Sequence, residues 1–158
     1  MPTTHTIQSY KFSELSDEAK EAAREWFRRG ALDYEWWDFV YEDAARIGLK
    51  ITGFDLGRGC KLDGKLLVSP SACALAILGD HGKECDTYKL ATSFLAERRE
   101  TRGPARVKLG EDFVRDLRHE FWHILNREAE YRLSDECVDE DIEANEYDFD
   151  AHGHRWHF

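Results

Sequence analysis

Residues 111–132, EDFVRDLRHEFWHILNREAEYR, form the longest stretch of the chain with a single periodicity. Wound at about 100° per residue, Phe113, Val114, Leu117, Phe121, Ile124 and Leu125 fall on one arc. The spacing predicts a helix over 111–132 that buries that arc. His119 and His123 lie on the opposite face with Arg115, Asp116, Asn126, Arg127 and Glu130, a mixed-charge set of the kind that water solvates.

His119 to His123 also spell HEFWH, a His-Glu-x-x-His pattern. Two histidines four apart stand one above the other on a helix, so their ring nitrogens can converge on one zinc ion, with Glu120 as general base. A catalytic zinc needs a third protein ligand. The candidates are His152 or His154 in AHGHRWHF, or Glu143. The tail loosely resembles the His-Gly segment that completes the site in small SprT-type zinc proteases. The alternative is a pair of exposed imidazoles on a polar face, where Arg115 and Arg127 oppose a cation. On that reading the chain is not an enzyme and takes no cofactor, and a zinc hydrolase is the runner-up.

At 158 residues the chain predicts one domain, 1–158. With 42% hydrophobic residues and five Trp it carries a core in spite of 34% charged residues. Cys60, Cys73, Cys85 and Cys137 form no Cys-x-x-Cys pair, which favours free thiols in a reducing cytoplasm. No apolar run approaches the roughly 18 residues of a membrane span. The opening MPTTHTIQSYKF lacks the charged-then-apolar layout of a signal peptide, so a soluble cytoplasmic protein is expected.

The net charge of −10 is concentrated: Ser134–Asp150 holds nine acids and no Lys or Arg. Such a segment repels nucleic acid and attracts basic surfaces, including those that bind nucleic acid themselves. Asp135, Glu136, Asp139, Glu140, Glu143 and Glu146 are its candidate partner-binding residues. The plain alternative is a solvated acidic helix.

Outward from these segments, Ile7, Tyr10 and Phe12 suggest a strand over 4–12. LSDEAKEAAREWF follows, with Ser16 as N-cap, Asp17 and Glu18 on the positive helix end, and Gly30 as stop. A second helix is expected after Asp33, through YEWWDFVYEDAARIG to Gly48. Trp36 and Trp37 cannot both face inward on one helix, so Trp36 is expected outside, as an aromatic anchor for a partner. Simple packing is the alternative. Leu49–Leu56 and Lys61–Val68 are expected as a hairpin. A short helix opens at Pro70 and breaks at Gly79 and Gly82, another spans Asp86–Arg99, and ETRGPARVK reads as a flexible connection. LSDE recurs at Leu133–Glu136, one capping chemistry used twice. Tyr147, Phe149, Trp156 and Phe158 flank a Gly-containing turn, a terminal hairpin. The sum is an α+β domain of four or five helices on a small antiparallel sheet, with both chain ends contributing strands.

ELSDEA at Glu14–Ala19 after Phe12, DYEWWDF at Asp33–Phe39 and IEANEYDF at Ile142–Phe149 together resemble a family of small phage and prophage proteins labelled as an antitoxin of a toxin–antitoxin stability system. The likeness covers both ends of the chain and leaves Cys60–Lys108 poorly matched. It implies a mobile-element protein acting inside a bacterium and carries no catalytic residues across. The family's corresponding helix does not generally hold the two histidines. Taken with the acidic segment, it leads to the expectation of a non-enzymatic protein that blocks a basic, nucleic-acid-handling partner, a toxin or a host defence complex. Self-association as a structural accessory is a third class.

Overall fold

A computed structural model describes residues 1–156 of the chain. The class is α+β: six α-helices and one two-stranded antiparallel sheet among the described residues. The chain forms two compact units, one from residues 1–35 and 128–158, the other from 36–127.

In the first unit a 3-10 turn, Phe12–Glu14, precedes α1, Asp17–Arg28. Ser16 Oγ accepts a hydrogen bond from the Ala19 amide at 3.2 Å. Ser134 Oγ does the same for Cys137 at 3.3 Å, opening the last helix of the chain, Asp135–Ala144. The repeated LSDE is thus one capping solution at two helix starts, as its chemistry predicts. Ala19 and Ala23 lack side-chain bulk, which lets Val138 and Ile142 pack against α1 around Phe12, Leu15 and Phe149. Trp26 meets Tyr147 and Phe149 edge-on, with ring centroids 5.2 and 6.0 Å apart.

The chain ends contribute less sheet than expected. Tyr10 and Phe149 exchange two backbone hydrogen bonds of 2.8 and 2.9 Å, and Phe149 also bridges Arg155. These are isolated bridges, not strands. Thr4–Ser9 offers Ile7 as its one apolar side chain, and Ile7 is exposed, so nothing holds an extended segment down. Phe158, expected in the terminal hairpin, lies outside the described residues. Gly153, at φ +83°, closes the turn against α1, where a Cβ would stand 2.0 Å from the Ala19 carbonyl oxygen.

The second unit begins with α2, Asp38–Arg46, then β1, Leu49–Asp55, and β2, Lys61–Leu66. The hairpin pairs Leu49 with Leu66 and Asp55 with Lys61, with a bulge between Ile51 and Gly53. The Asp55 carboxylate shapes its loop by accepting from the Gly57 and Gly59 amides at 2.8 and 3.2 Å. Helices α3, Pro70–Asp80, and α4, Asp86–Glu100, follow, and α5 runs from Pro104 to Arg132. Three boundaries differ from expectation. Residues 33–37 form turns, and α2 starts at Asp38. Gly79 sits within α3, because one glycine lowers helix stability without ending it. Residues 104–110 are helical, since Pro104 takes the first position of α5, where its missing N–H is not needed. The connection is only Thr101–Gly103, with Gly103 at φ +64°. The last helix, Asp135–Ala144, is α6.

The predicted arc of α5 is the buried one: Phe113, Leu117, Phe121 and Leu125 are enclosed, Val114 and Ile124 half-buried. Trp122, outside that arc, is buried too. Its indole N–H donates to the Asp55 carbonyl at 2.8 Å, and Arg118 donates to the Gly64 carbonyl at 3.2 Å, so two side chains of α5 tie it to the hairpin. No helix among the described residues is long and apolar enough to cross a membrane.

Candidate functional site

His119 is exposed on α5, as the periodicity predicts, but His123 is half-buried, with the Trp122 ring 5.2 Å away. Their Nε2 atoms lie 3.0 Å apart, close enough for one ring N–H to donate to the other nitrogen. Two nitrogens on a tetrahedral zinc stand about 3.3 Å apart, so the pair is near chelating geometry. Among the described residues of the second unit no third ligand joins the pair. His119 borders a cleft of about 380 Å3 with Cys60, Lys61, Arg115 and Asp116. Glu120, one residue on, faces a different cavity, of about 330 Å3, with His81, Thr87, Phe121 and Arg127. A base that activates a metal-bound water must share the metal's cavity. His152 and His154 belong to the first unit's C-terminal turn, where Asp150 Oδ1 accepts from their backbone amides at 2.8 and 3.0 Å. Among the described residues no group of three or more His, Cys, Asp or Glu side chains is arranged to hold a metal ion.

The expectation for Trp36 is overturned. Trp36 is 5% exposed, edge-on to Trp37 and Phe54 at 5.8 Å each. Trp37 meets Phe54 at 5.5 Å. Because α2 starts only at Asp38, the two tryptophans do not sit on one helical wheel, and both reach the same phenyl ring of β1. Trp36 is core and offers no face to a partner.

The acidic segment separates into two groups that the sequence does not distinguish. Asp139 receives a two-pronged contact from Arg24, Nε to Oδ1 at 2.7 Å and Nη2 to Oδ2 at 2.9 Å. Those hydrogen bonds push the Arg24 guanidinium further above its ordinary pKa. Arg28 pairs with Asp135 and donates to the Leu133 carbonyl at 2.9 Å. Lys11 pairs with Asp148 at 2.9 Å and caps the Glu146 carbonyl at 2.9 Å. Asp139, half-buried, therefore holds α6 to α1, while Asp135 pairs with Arg28 and keeps 65% of its side chain exposed. The carboxylates of Glu136, Glu140, Glu143 and Glu146 are exposed and meet no cation among the described residues.

Two features escaped the sequence reading. Arg24 and Arg28 lie one turn apart on α1, but their acids are more than 100 residues away, so no local pattern announces the pairing. The cavity at His81, whose Nδ1 is hydrogen-bonded to the buried Thr87 hydroxyl, joins residues from separate helices and loops. Comparison with family models, with curated proteins and with solved structures finds no match to this chain.

Proposed function

We propose that this chain is a phage-type, non-enzymatic binding protein that blocks a basic, nucleic-acid-handling protein partner with the outer face of α6. Glu136, Glu140 and Glu143 recur at helical spacing, and Glu146 follows just beyond the helix end. The observation that supports this reading is the division of labour among the acids. Asp139 and Asp135 are paired with Arg24 and Arg28, which also hold Glu21 and Glu25, while these four glutamates are exposed and meet no cation among the described residues. A row of unneutralised carboxylates on a rigid helix matches the spacing-tolerant recognition of phosphates by basic grooves. The resemblance to the antitoxin-labelled phage family supplies the setting, a bacterial host and a toxin or defence complex as partner.

The test is recovery of partners from bacterial host cells, with and without phage neighbours expressed, using wild-type bait and an E136K/E140K/E143K bait. A nucleic-acid-binding protein held by wild type, released as salt rises and not held by the variant, is the expected result. Equal capture by both baits would remove the acidic face from the mechanism. The rival zinc hydrolase retains one favourable observation, the 3.0 Å separation of the His119 and His123 nitrogens. Elemental analysis of untagged protein separates the two: stoichiometric zinc that disappears in His119→Ala would replace the binding reading.

A further inference from the structure

A groove of about 410 Å3 lies between the start of α3, the end of α4 and the first turns of α5. Its apolar surface comes from Pro70, Phe94, Val107 and Val114. Phe94 is 4% exposed at its base, and α5 approaches so closely at Gly110 that an added Cβ would stand 3.2 Å from Pro70 Cγ. Two guanidiniums, Arg98 and Arg106, and one acid, Glu111, complete the lining charges.

Those two arginines are anomalous in this protein. The other half-buried arginines, Arg24, Arg28, Arg118, Arg132 and Arg155, each meet an acceptor oxygen of the chain. The guanidiniums of Arg98 and Arg106 meet none among the described residues, although both are half-buried. A partly desolvated guanidinium with no acceptor is unfavourable for the fold. The positive ends of α3 and α5, at Ser69–Ser71 and Gly103, border the same groove and add to its field.

We propose that this groove binds a medium-chain carboxylate, with the carboxylate on Arg98 and Arg106 and the alkyl chain along Phe94, Val107 and Val114. A planar carboxylate offers the two parallel acceptors a guanidinium fork takes, and the volume is that of a small-molecule site. The site lies within the second unit and is independent of the α6 face.

Calorimetric titration of the full chain with hexanoate, octanoate, decanoate and octanol tests it. Affinity is expected to tighten about fourfold per methylene until the groove fills. Octanol should bind at least about tenfold more weakly than octanoate. R98Q/R106Q should lower octanoate affinity to that of octanol while the thermal unfolding midpoint stays level or rises, since no internal bond is lost. V107D, at a residue 65% exposed and thus dispensable for folding, should also weaken octanoate. The proposal is overturned by absence of saturable octanoate binding to folded wild type, by equal affinity for octanoate and octanol, or by octanoate affinity that both variants leave unchanged. A fall in the unfolding midpoint of R98Q/R106Q would overturn it too, by showing that the arginines serve the fold. Saturation by an acidic peptide but not by octanoate would give the groove to a protein partner instead.

Discussion

Asp139 and Glu140 are neighbours with opposite duties. Arg24 and Asp139 keep 18% and 29% of their side-chain surface, so their two-pronged pair is shielded enough to count toward stability. A double-mutant cycle over Arg24→Ala and Asp139→Asn should give a coupling of ~1–2 kcal/mol in denaturant unfolding. Glu140→Gln should change stability by less than ~0.5 kcal/mol, because Glu140 is exposed and meets no cation among the described residues. A coupling near zero would mean that Arg24 does not anchor α6. Gly153 is the other decisive single position. Gly153→Ala combines a left-handed φ with a carbonyl already in the place of the new methyl, and should cost at least ~2 kcal/mol by the same assay.

Elements follow their local chemistry wherever that chemistry is complete. Ser16→Ala and Ser134→Ala should each lower stability by ~1 kcal/mol, since each removes the hydroxyl that accepts the third amide of its helix. Equal stability for either would deny that the cap is formed. In the C-terminal turn, the backbone amides of His154 and His152 hold the Asp150 carboxyl below the usual carboxylate range, against partial desolvation acting the other way. With its folded pKa depressed, Asp150 contributes stability that is in place above the ordinary aspartate value and is lost as pH falls through the depressed one. The His154 amide resonance should therefore stay native at neutral pH and shift only in stronger acid than an isolated aspartate requires. The helix over 111–132 and the hairpin were legible in the sequence because periodicity and turn residues act within a few positions. The burial of Trp36 was not, since it depends on α2 starting three residues past Glu35. Nor was the division of the acids, which is set across α1 and α6 by contacts no window of sequence contains.

Over the whole molecule the charge is unevenly shared. The first unit holds 7 Lys and Arg against 18 Asp and Glu, the second 15 against 14, so nearly all the negative potential belongs to the unit that contains α6. E136K/E140K/E143K should unfold at the same temperature as wild type or slightly higher at low salt. Lys at 136 opposes the helix dipole, Lys at 143 favours it, and the lowered self-repulsion of the unit favours the variant. The difference should shrink as salt is added. A D135K/D139K variant should unfold earlier at every salt concentration, because it sets like charges against Arg24 and Arg28.

The edge-on arrangement of Trp36 and Trp37, 5.8 Å apart with planes at 82°, also makes the second unit optically distinct. Two indoles so close and nearly perpendicular couple their electronic transitions, giving a paired positive and negative band in circular dichroism that isolated chromophores lack. Trp26 and Trp156 belong to the first unit, so replacing both with phenylalanine leaves emission from Trp36, Trp37 and Trp122 alone. Opening of the second unit can thus be followed by light, without an attached dye.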